Sequence, residues 1–132
     1  MRKASLDDLE LLLIWMPDFF AEIGEDAGVL EPILKRRLQA GQFWLWEDGG
    51  PVSMAANSEP VEGVVRMQAV YTPPERRNRG YAGACVAGLS RRMQEAGHRC
   101  ILYTALGNPT SNSVYRRIGY RAVAEGLRYR FE

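Results

Sequence analysis

The sequence has few of the residues that metal and disulfide sites require. It contains two cysteines, Cys85 and Cys100, and one histidine, His98, among 132 residues. The cysteines form no CxxC pair and have no partner at metal-ligand spacing, so we expect neither a metal site nor a disulfide framework. Both cysteines are expected to be buried and to act as small hydrophobic residues. This use of cysteine fits a reducing, cytoplasmic compartment.

Long hydrophobic runs are also missing. The apolar run Leu11–Met16 has six residues and ends at Pro17, whereas a membrane-spanning helix needs about 20. The N-terminus becomes acidic before an apolar stretch can develop, so it does not resemble a signal peptide. We therefore expect no membrane contact. Apolar residues at 46% and charged residues at 25% indicate one globular domain over 1–132, either alone or within a longer protein.

The two halves of the chain carry opposite charge, although the net charge is only +1. Residues 1–62 contain twelve acidic and five basic residues, whereas 63–132 contain four acidic and twelve basic residues, all of them arginine. Arginine suits phosphate because its planar guanidinium presents donors in a fixed fork. The basic half therefore favours a polyanionic ligand, either nucleic acid or a phosphorylated cofactor. A solvated, arginine-rich surface is the alternative.

Hydrophobic periodicity predicts a mixed α/β protein with the element order β-α-α-β-β-β-α-β-α-β-β. In the first half, Ser5 and Asp8 resemble a capping box before a helix that Pro17 should end or bend. A second helix is expected over 30–39, with Gly41 as its stop.

The middle of the chain predicts strands. Segments 43–46 and 52–56 flank a Gly-Gly-Pro turn and predict a hairpin, and a longer strand is expected over 62–72. The side chains of this strand alternate, so each set should face one side of the sheet; the sets are Val65, Met67, Ala69 and Tyr71, and Val64, Arg66, Gln68 and Val70. Beyond it we expect a helix over 80–96, a strand over 101–104, a helix over 108–119 and strands over 120–124 and 127–131.

The junction between the long strand and the next helix carries the clearest signal for a binding site. Its sequence is VYTPPERRNRGYAGACVAGL, over 70–89, with three arginines in the loop before Gly80. The first turn of a helix has unpaired N–H groups and carries the positive end of the helix dipole. The junction therefore predicts a pyrophosphate cradle, although neither familiar glycine-rich phosphate motif is present. A basic junction that binds nothing is the alternative.

A second candidate site lies in the segment NPTSNSVYRRIGY, over 108–120. Asn108, Ser111 and Tyr115 have i, i+3, i+7 spacing and so share one helix face. A phenol can donate a proton to a leaving sulfur or oxygen, and Asn and Ser can hold polar ligand atoms. The alternative is structural, with Asn108 as a helix cap and Tyr115 in the core.

Together the two segments resemble the GCN5-related N-acetyltransferase (GNAT) superfamily. Its signature, Q/R-x-x-G-x-G/A after a strand, is similar to the segment 77–82, and a second pattern, N-x-x-[SA]-x-x-x-Y-x-x-x-G-[FY], matches at Asn108, Ser111, Tyr115, Gly119 and Tyr120. The resemblance covers essentially the whole chain and is firm over 64–120. It implies the superfamily's fold, a mixed, mostly antiparallel sheet flanked by about four helices.

The resemblance also implies an activity and a set of site residues. Acetyl-CoA would be the acyl donor, and a primary amine on a small molecule or a peptide would attack the thioester directly. Tyr115 would protonate the departing thiolate, and Asn108 and Ser111 would contact the pantetheine arm. That arm would lie where the long strand splays from 101–104, along the backbone of Val70, Tyr71 and Thr72. The pyrophosphate would bind the amides of Arg77, Asn78, Arg79, Gly80, Tyr81 and Ala82.

Several points stay open at the level of sequence. No carboxylate stands out as the base, with Glu62 and Glu75 as weak candidates. Tryptophans 15, 44 and 46 are expected in the core or hairpin, with an acceptor pocket as the alternative. A non-catalytic acyl-CoA-binding domain would have the same cradle. A nucleic-acid binder is disfavoured because the arginines lie on separate elements and no binding motif appears. Similar proteins often form homodimers by exchanging C-terminal strands.

Overall fold

A computed structural model describes the backbone of residues 1–103, 114–124 and 128–131 and the side chains of 1–102, 114–120 and 131. The described strands are β1 (Arg2–Lys3), β2 (Phe43–Glu47), β3 (Pro51–Asn57), β4 (Val64–Tyr71), β5 (Arg99–Tyr103), β6 (Tyr120–Ala124) and β7 (Arg128–Phe131). The helices are α1 (Leu9–Glu22), α2 (Glu31–Gln39) and α3 (Tyr81–Glu95), and residues 114–117 are also helical. The element order agrees with the sequence-based prediction.

The described strands form one seven-stranded sheet in the order β1-β2-β3-β4-β5-β7-β6. The pair β4 and β5 is parallel, and the other neighbouring pairs are antiparallel. The predicted GNAT architecture, a mixed and mostly antiparallel sheet with flanking helices, is therefore confirmed. Among the described helices, none is long and apolar enough to cross a membrane.

Helices cover the two faces of the sheet and create two hydrophobic cores. On one face, α1 and α2 pack against alternate residues of the hairpin; this first core includes Leu12, Trp15, Leu34, Phe43, Leu45 and Met54. On the other face, α3 packs against the intervening residues; this second core includes Trp44, Val65, Met67, Cys85, Leu89 and Cys100. Trp15 and Trp44 are buried and Trp46 packs against the second core, so the expectation of core packing for the tryptophans is confirmed.

Pro17 does not end the first helix. A 3-10 turn, Leu6–Asp8, begins at the predicted capping box of Ser5 and Asp8, and α1 then continues through Pro17 to Glu22. Proline removes one backbone hydrogen bond from a helix interior. Phe19 and Phe20, just beyond it, pack against the first core, and this burial offsets the loss. The consequence for the site is that α1 extends far enough to place Glu22 beside β4.

Strand β4 contains a β-bulge that its alternating sequence conceals. The pairing with β3 shifts between Met54 and Ala56, and Ala69 has a φ of 51°. Val65 and Met67, before the bulge, face the second core, whereas Ala69 and Tyr71, after it, face the first. The expectation that all four residues face one side is therefore wrong, because a bulge adds one residue and changes which face the later side chains occupy.

The parallel pairing of β4 with β5 is short. It joins Val64–Arg66 to Arg99–Ile101, while β4 continues to Tyr71 and β5 turns its other edge to β7. Among the described residues, β4 has no strand partner on the β5 side beyond Arg66. Along that edge, the backbone polar groups of β4 beyond Arg66 have no partner in the described strands, and groups of this kind can hydrogen-bond a ligand.

Candidate active site

A cleft of about 570 Å³ lies beside the end of β4. Its walls come from five segments, namely the end of α1, the end of β4, the loop before α3, the first turn of α3 and the helical residues 114–117 with Ile118. Its described lining residues are Glu22, Val70, Tyr71, Thr72, Arg76, Arg77, Asn78, Gly80, Tyr81, Ala82, Gly83, Ala84, Val114, Tyr115, Arg117 and Ile118.

The cleft brings together most of the residues that the sequence singled out. Tyr115 lies in the same lining as Val70, Tyr71, Thr72, Arg77, Asn78, Gly80, Tyr81 and Ala82. Arg79 is exposed and does not line the cleft. Asn108 and Ser111 lie outside the described residues, so their roles stay predictions.

Side chains hold the end of β4 in place from one side. The buried Ser53 hydroxyl donates to the carbonyl oxygen of Tyr71 at 3.0 Å and lies 2.8 Å from the Thr72 hydroxyl. Nε of Arg77 donates to the carbonyl oxygen of Thr72 at 2.9 Å. These bonds fix the strand end that faces the cleft. Sequence reasoning missed Ser53, because a serine within an apolar strand carries no local signal of a partner 18 residues away.

The loop before α3 depends on two residues with left-handed backbone. Asn78 has a φ of 64° and Gly80, the N-cap of α3, has a φ of 79°. A Cβ placed on Gly80 would meet no described atom within 4 Å, so glycine is favoured there by conformation and not by close packing. Among the described residues, no side chain caps α3 and its first turn has no acidic residue. The unpaired N–H groups of that turn therefore give the cleft a positive end.

Gly83 in α3 allows the helical residues 114–117, which include Tyr115, to approach α3 closely. A Cβ on Gly83 would lie 3.2 Å from Cγ1 of Val114, which is tighter than ordinary van der Waals contact. The absence of that methyl group allows residues 114–117 to pack directly against the first turns of α3. Tyr115 thereby lines the same cleft as the predicted phosphate loop.

Tyr115 and Tyr120 are neighbouring phenols with different surroundings. Their rings meet edge to face, with centroids 6.3 Å apart. The hydroxyl of Tyr120 is buried and hydrogen-bonded to Ser90 at 2.5 Å, whereas no described residue hydrogen-bonds to the hydroxyl of Tyr115. Burial raises the pKa of Tyr115, so its phenol is protonated at neutral pH. Of the two tyrosines, Tyr115 lines the cleft and Tyr120 does not.

Charge in the cleft is mainly positive. Arg76, Arg77 and Arg117 line it, and Glu22 is the single acidic residue of the described lining. Glu22 forms an ion pair with Arg77, whose guanidinium also lies 5.9 Å from the ring centre of Tyr71. Sequence reasoning missed Glu22, because 55 residues separate it from Arg77 and only the tertiary fold joins them.

Comparison with known families identifies the chain. Residues 47–129 match the family model described as FR47-like protein. This span includes β3, β4, α3 and Tyr115. The chain belongs to the FR47-like family of GNAT proteins. No curated protein sequence matches it.

Solved structures show the same fold at low sequence identity. PaiA N-acetyltransferase from Thermoplasma acidophilum, in complex with coenzyme A, is 15% identical, with a TM-score of 0.75 over 99% of this chain and 96% of that one. A GNAT family acetyltransferase from Brucella melitensis, in complex with acetyl-CoA, is 20% identical, with a TM-score of 0.72 over 98% of this chain and 84% of that one. A GNAT family acetyltransferase from Staphylococcus aureus Mu50 is 12% identical, with a TM-score of 0.76 over 98% and 96%.

Neither cysteine of this FR47-like chain lines the cleft. Cys85 and Cys100 are free and buried in the second core. Burial raises the pKa of Cys85 to about 12 and that of Cys100 to about 11. Both thiols are therefore protonated at neutral pH and have little nucleophilic character. The prediction that they are buried small hydrophobic residues is confirmed.

The two carboxylates considered as bases also lie elsewhere. Glu62 is exposed in the turn before β4, and Glu75 is exposed in the 3-10 turn Pro74–Arg76. Neither lines the cleft. Glu22 is the carboxylate that the FR47-like fold brings there instead.

Proposed function

We propose that this protein is an acetyl-CoA-dependent N-acetyltransferase that acetylates a primary amine by direct attack in a ternary complex. The observation that carries the proposal is the shared cleft. Residues predicted to contact the cofactor and the residue predicted to donate a proton belong to segments far apart in sequence, yet they line one cavity. The coenzyme A and acetyl-CoA complexes of proteins with this fold support the same choice of ligand.

The geometry suits both ends of the proposed donor. The backbone edge of Val70–Thr72, which has no described strand partner on the β5 side, can hydrogen-bond the amides of the pantetheine arm. The N–H groups at the start of α3 face the cleft with no capping side chain among the described residues, as an anion-binding helix terminus requires. Arg76 and Arg117 add positive charge for the pyrophosphate.

Tyr115 is proposed as the general acid. When the amine nitrogen bonds to the thioester carbon, the carbon–sulfur bond breaks and its electron pair goes to sulfur. The phenol of Tyr115, protonated because burial raises its pKa, donates its proton to that thiolate. The attacking nitrogen loses a proton to water. No acyl-enzyme is formed, in keeping with the buried cysteines.

Ligand binding is tested by thermal unfolding with acetyl-CoA, coenzyme A and ATP. A ligand at a hundredfold excess over its Kd stabilises the folded state by about 2.7 kcal/mol, which moves the midpoint of a domain this size by several degrees. We expect a shift with acetyl-CoA and coenzyme A and none with ATP. Equal shifts with all three would indicate nonspecific anion binding.

Catalysis is tested by replacing Tyr115 with phenylalanine. We expect Tyr115→Phe to leave the Kd of acetyl-CoA within about twofold and to lower kcat by about a hundredfold, since general acids contribute about 10²–10⁴-fold. The readout is thiol release with a panel of primary amines. Tyr120→Phe is the matched control, because its hydroxyl pairs with Ser90 away from the cleft. If Tyr115→Phe binds acetyl-CoA tightly and keeps an unchanged kcat, Tyr115 is not the proton donor. If the unchanged protein binds acetyl-CoA but acetylates none of the amines, an acyl-CoA-binding domain is favoured.

A further inference from the structure

Glu22 enters the cleft from a different direction than the other lining residues. It is the last residue of α1, and no other residue of that helix is part of the described lining. Helix C-termini carry partial negative charge, and carboxylates there add to it. The last turn of α1 has no basic residue to balance this charge. The cleft is therefore lined both by the negative end of α1 and by the positive start of α3.

The cation that occupies this corner is Arg77. Its guanidinium pairs with Glu22, and the side chains of the two residues are 42% and 43% exposed. Exposed ion pairs contribute little to stability, because water competes for both charges. Arg77 therefore can exchange Glu22 for another anion at small cost.

The same arginine belongs to the proposed phosphate loop. Arg77 opens the segment 77–82, and Nε of Arg77 is tied to the carbonyl oxygen of Thr72 at the end of β4. A pyrophosphate bound to that loop would offer the Arg77 guanidinium a second anionic partner, more highly charged than Glu22. Once Arg77 turns to the phosphate, Glu22 loses the ion-pair partner that it has among the described residues.

We propose that Glu22 binds a cationic group of the acceptor and that Arg77 occupies this position until the acyl donor binds. The inference rests on the proposed function. It names the acceptor class, a primary amine that carries a second positive charge, as in a diamine. The second charge lies against Glu22 while the other nitrogen attacks the thioester. The exchange of Arg77 also couples the acyl donor and the acceptor. Binding of either ligand draws Arg77 and Glu22 apart, and so favours binding of the other.

The test measures binding of 1,5-diaminopentane, with pentylamine as a probe of similar length that lacks the second charge. Calorimetric titrations use the full chain, free and saturated with coenzyme A. We expect coenzyme A to tighten diaminopentane binding by about fivefold or more, and diaminopentane to tighten coenzyme A by the same factor. Pentylamine should bind weakly in both states. Equal affinity for the two amines would overturn the proposal.

Two charge-removing variants isolate the residue. Glu22→Gln should weaken diaminopentane binding by about tenfold, as expected for loss of a charged partner. Glu25→Gln removes the same charge three residues later, at an exposed position outside the cleft lining, and should leave the affinity unchanged. If the two variants bind diaminopentane alike, Glu22 does not recognise the acceptor.

The outcomes separate this inference from the proposed function. If coenzyme A binds and only the Glu22 comparison fails, the acceptor assignment is wrong and the transferase proposal stands. If coenzyme A does not bind, the transferase proposal fails, and the exchange through Arg77 fails with it. In that case equal diaminopentane affinity in Glu22→Gln and Glu25→Gln would also exclude a cation site at Glu22.

Discussion

The two halves of β4, before and after the bulge at Ala69, differ in their pairing and in their surroundings. Val64–Arg66 pair with β5, and Val65 and Met67 are buried against α3. Beyond the bulge at Ala69, no described strand pairs on the β5 side, and residues 70–72 line the cleft. Pairing with β5 makes the first half a structural element, whereas the second half pairs with β3 and leaves its other edge without a described strand partner. The bulge also changes the face of the sheet, since Ala69 and Tyr71 are buried in the first core.

The largest expected effect is a loss of stability in the first half. Met67 is 4% exposed within the second core, so Met67→Ala should cost about 2–5 kcal/mol of unfolding free energy. Met67→Leu, which nearly conserves volume, should cost less than about 1.5 kcal/mol. Urea unfolding measures both values. The native fraction of Met67→Ala should bind acetyl-CoA with a Kd close to that of the unchanged protein. A much weaker affinity would show that the two halves are not independent.

An intermediate effect is expected where side chains hold the second half. Ser53→Ala leaves the buried hydroxyl of Thr72 and the carbonyl of Tyr71 without their partner, which should cost about 1–3 kcal/mol. Because the strand end then loses its support, acetyl-CoA affinity should also fall. The matched control is Ser58→Ala, whose exposed hydroxyl accepts from the N–H of Arg66 in the first half. It should affect affinity little, and an equal loss in both serine variants would contradict the comparison.

The smallest expected effect is at the bulge itself. Ala→Gly in a regular strand costs about 0.5–1 kcal/mol in conformational freedom, plus the lost methyl burial, and Ala55→Gly in β3 should show this cost because Ala55 is fully buried. Ala69 has a left-handed φ of 51°, which glycine adopts without strain. Ala69→Gly therefore relieves about 1–2 kcal/mol of strain, and this gain offsets the losses of conformational freedom and methyl burial. Ala69→Gly should therefore change stability by less than about 1 kcal/mol. Urea unfolding of both variants measures the difference, and equal costs would argue against the bulge.

Local signals in the sequence were sufficient for most of the fold. Glycines mark both ends of α3, with Gly80 before it and Gly97 after it, and a glycine-rich turn joins the hairpin. These signals act through backbone conformation, which neighbouring residues determine. The basic loop before α3 was predictable for the same reason, since its arginines and the helix start are contiguous, whereas its phosphate-binding role stays a prediction. Tyr115 was singled out by its i, i+3, i+7 spacing with Asn108 and Ser111, and its role stays a prediction. These are features whose physical cause lies within a few residues.

Features that depend on tertiary contacts could not be predicted. The alternation of β4 is the same with or without a bulge, because Ala69 and Tyr71 are apolar on either face. Pro17 signals the end or a bend of the helix, but α1 continues to Glu22, and the half-buried Phe19 and Phe20 pack against the first core. Glu22 and Ser53 acquire their roles from partners 55 and 18 residues away. No local pattern marks either residue.

The most direct test of the account is a titration of the protein with acetyl-CoA, followed by backbone amide NMR. If the donor binds where we propose, the amide resonances of Val70–Thr72 and of the first turn of α3 will shift, and those of Val64–Met67 will change little. Shifts that are absent from the second half of β4, or that spread evenly along the strand, would contradict the assignment of that half as the ligand-binding edge.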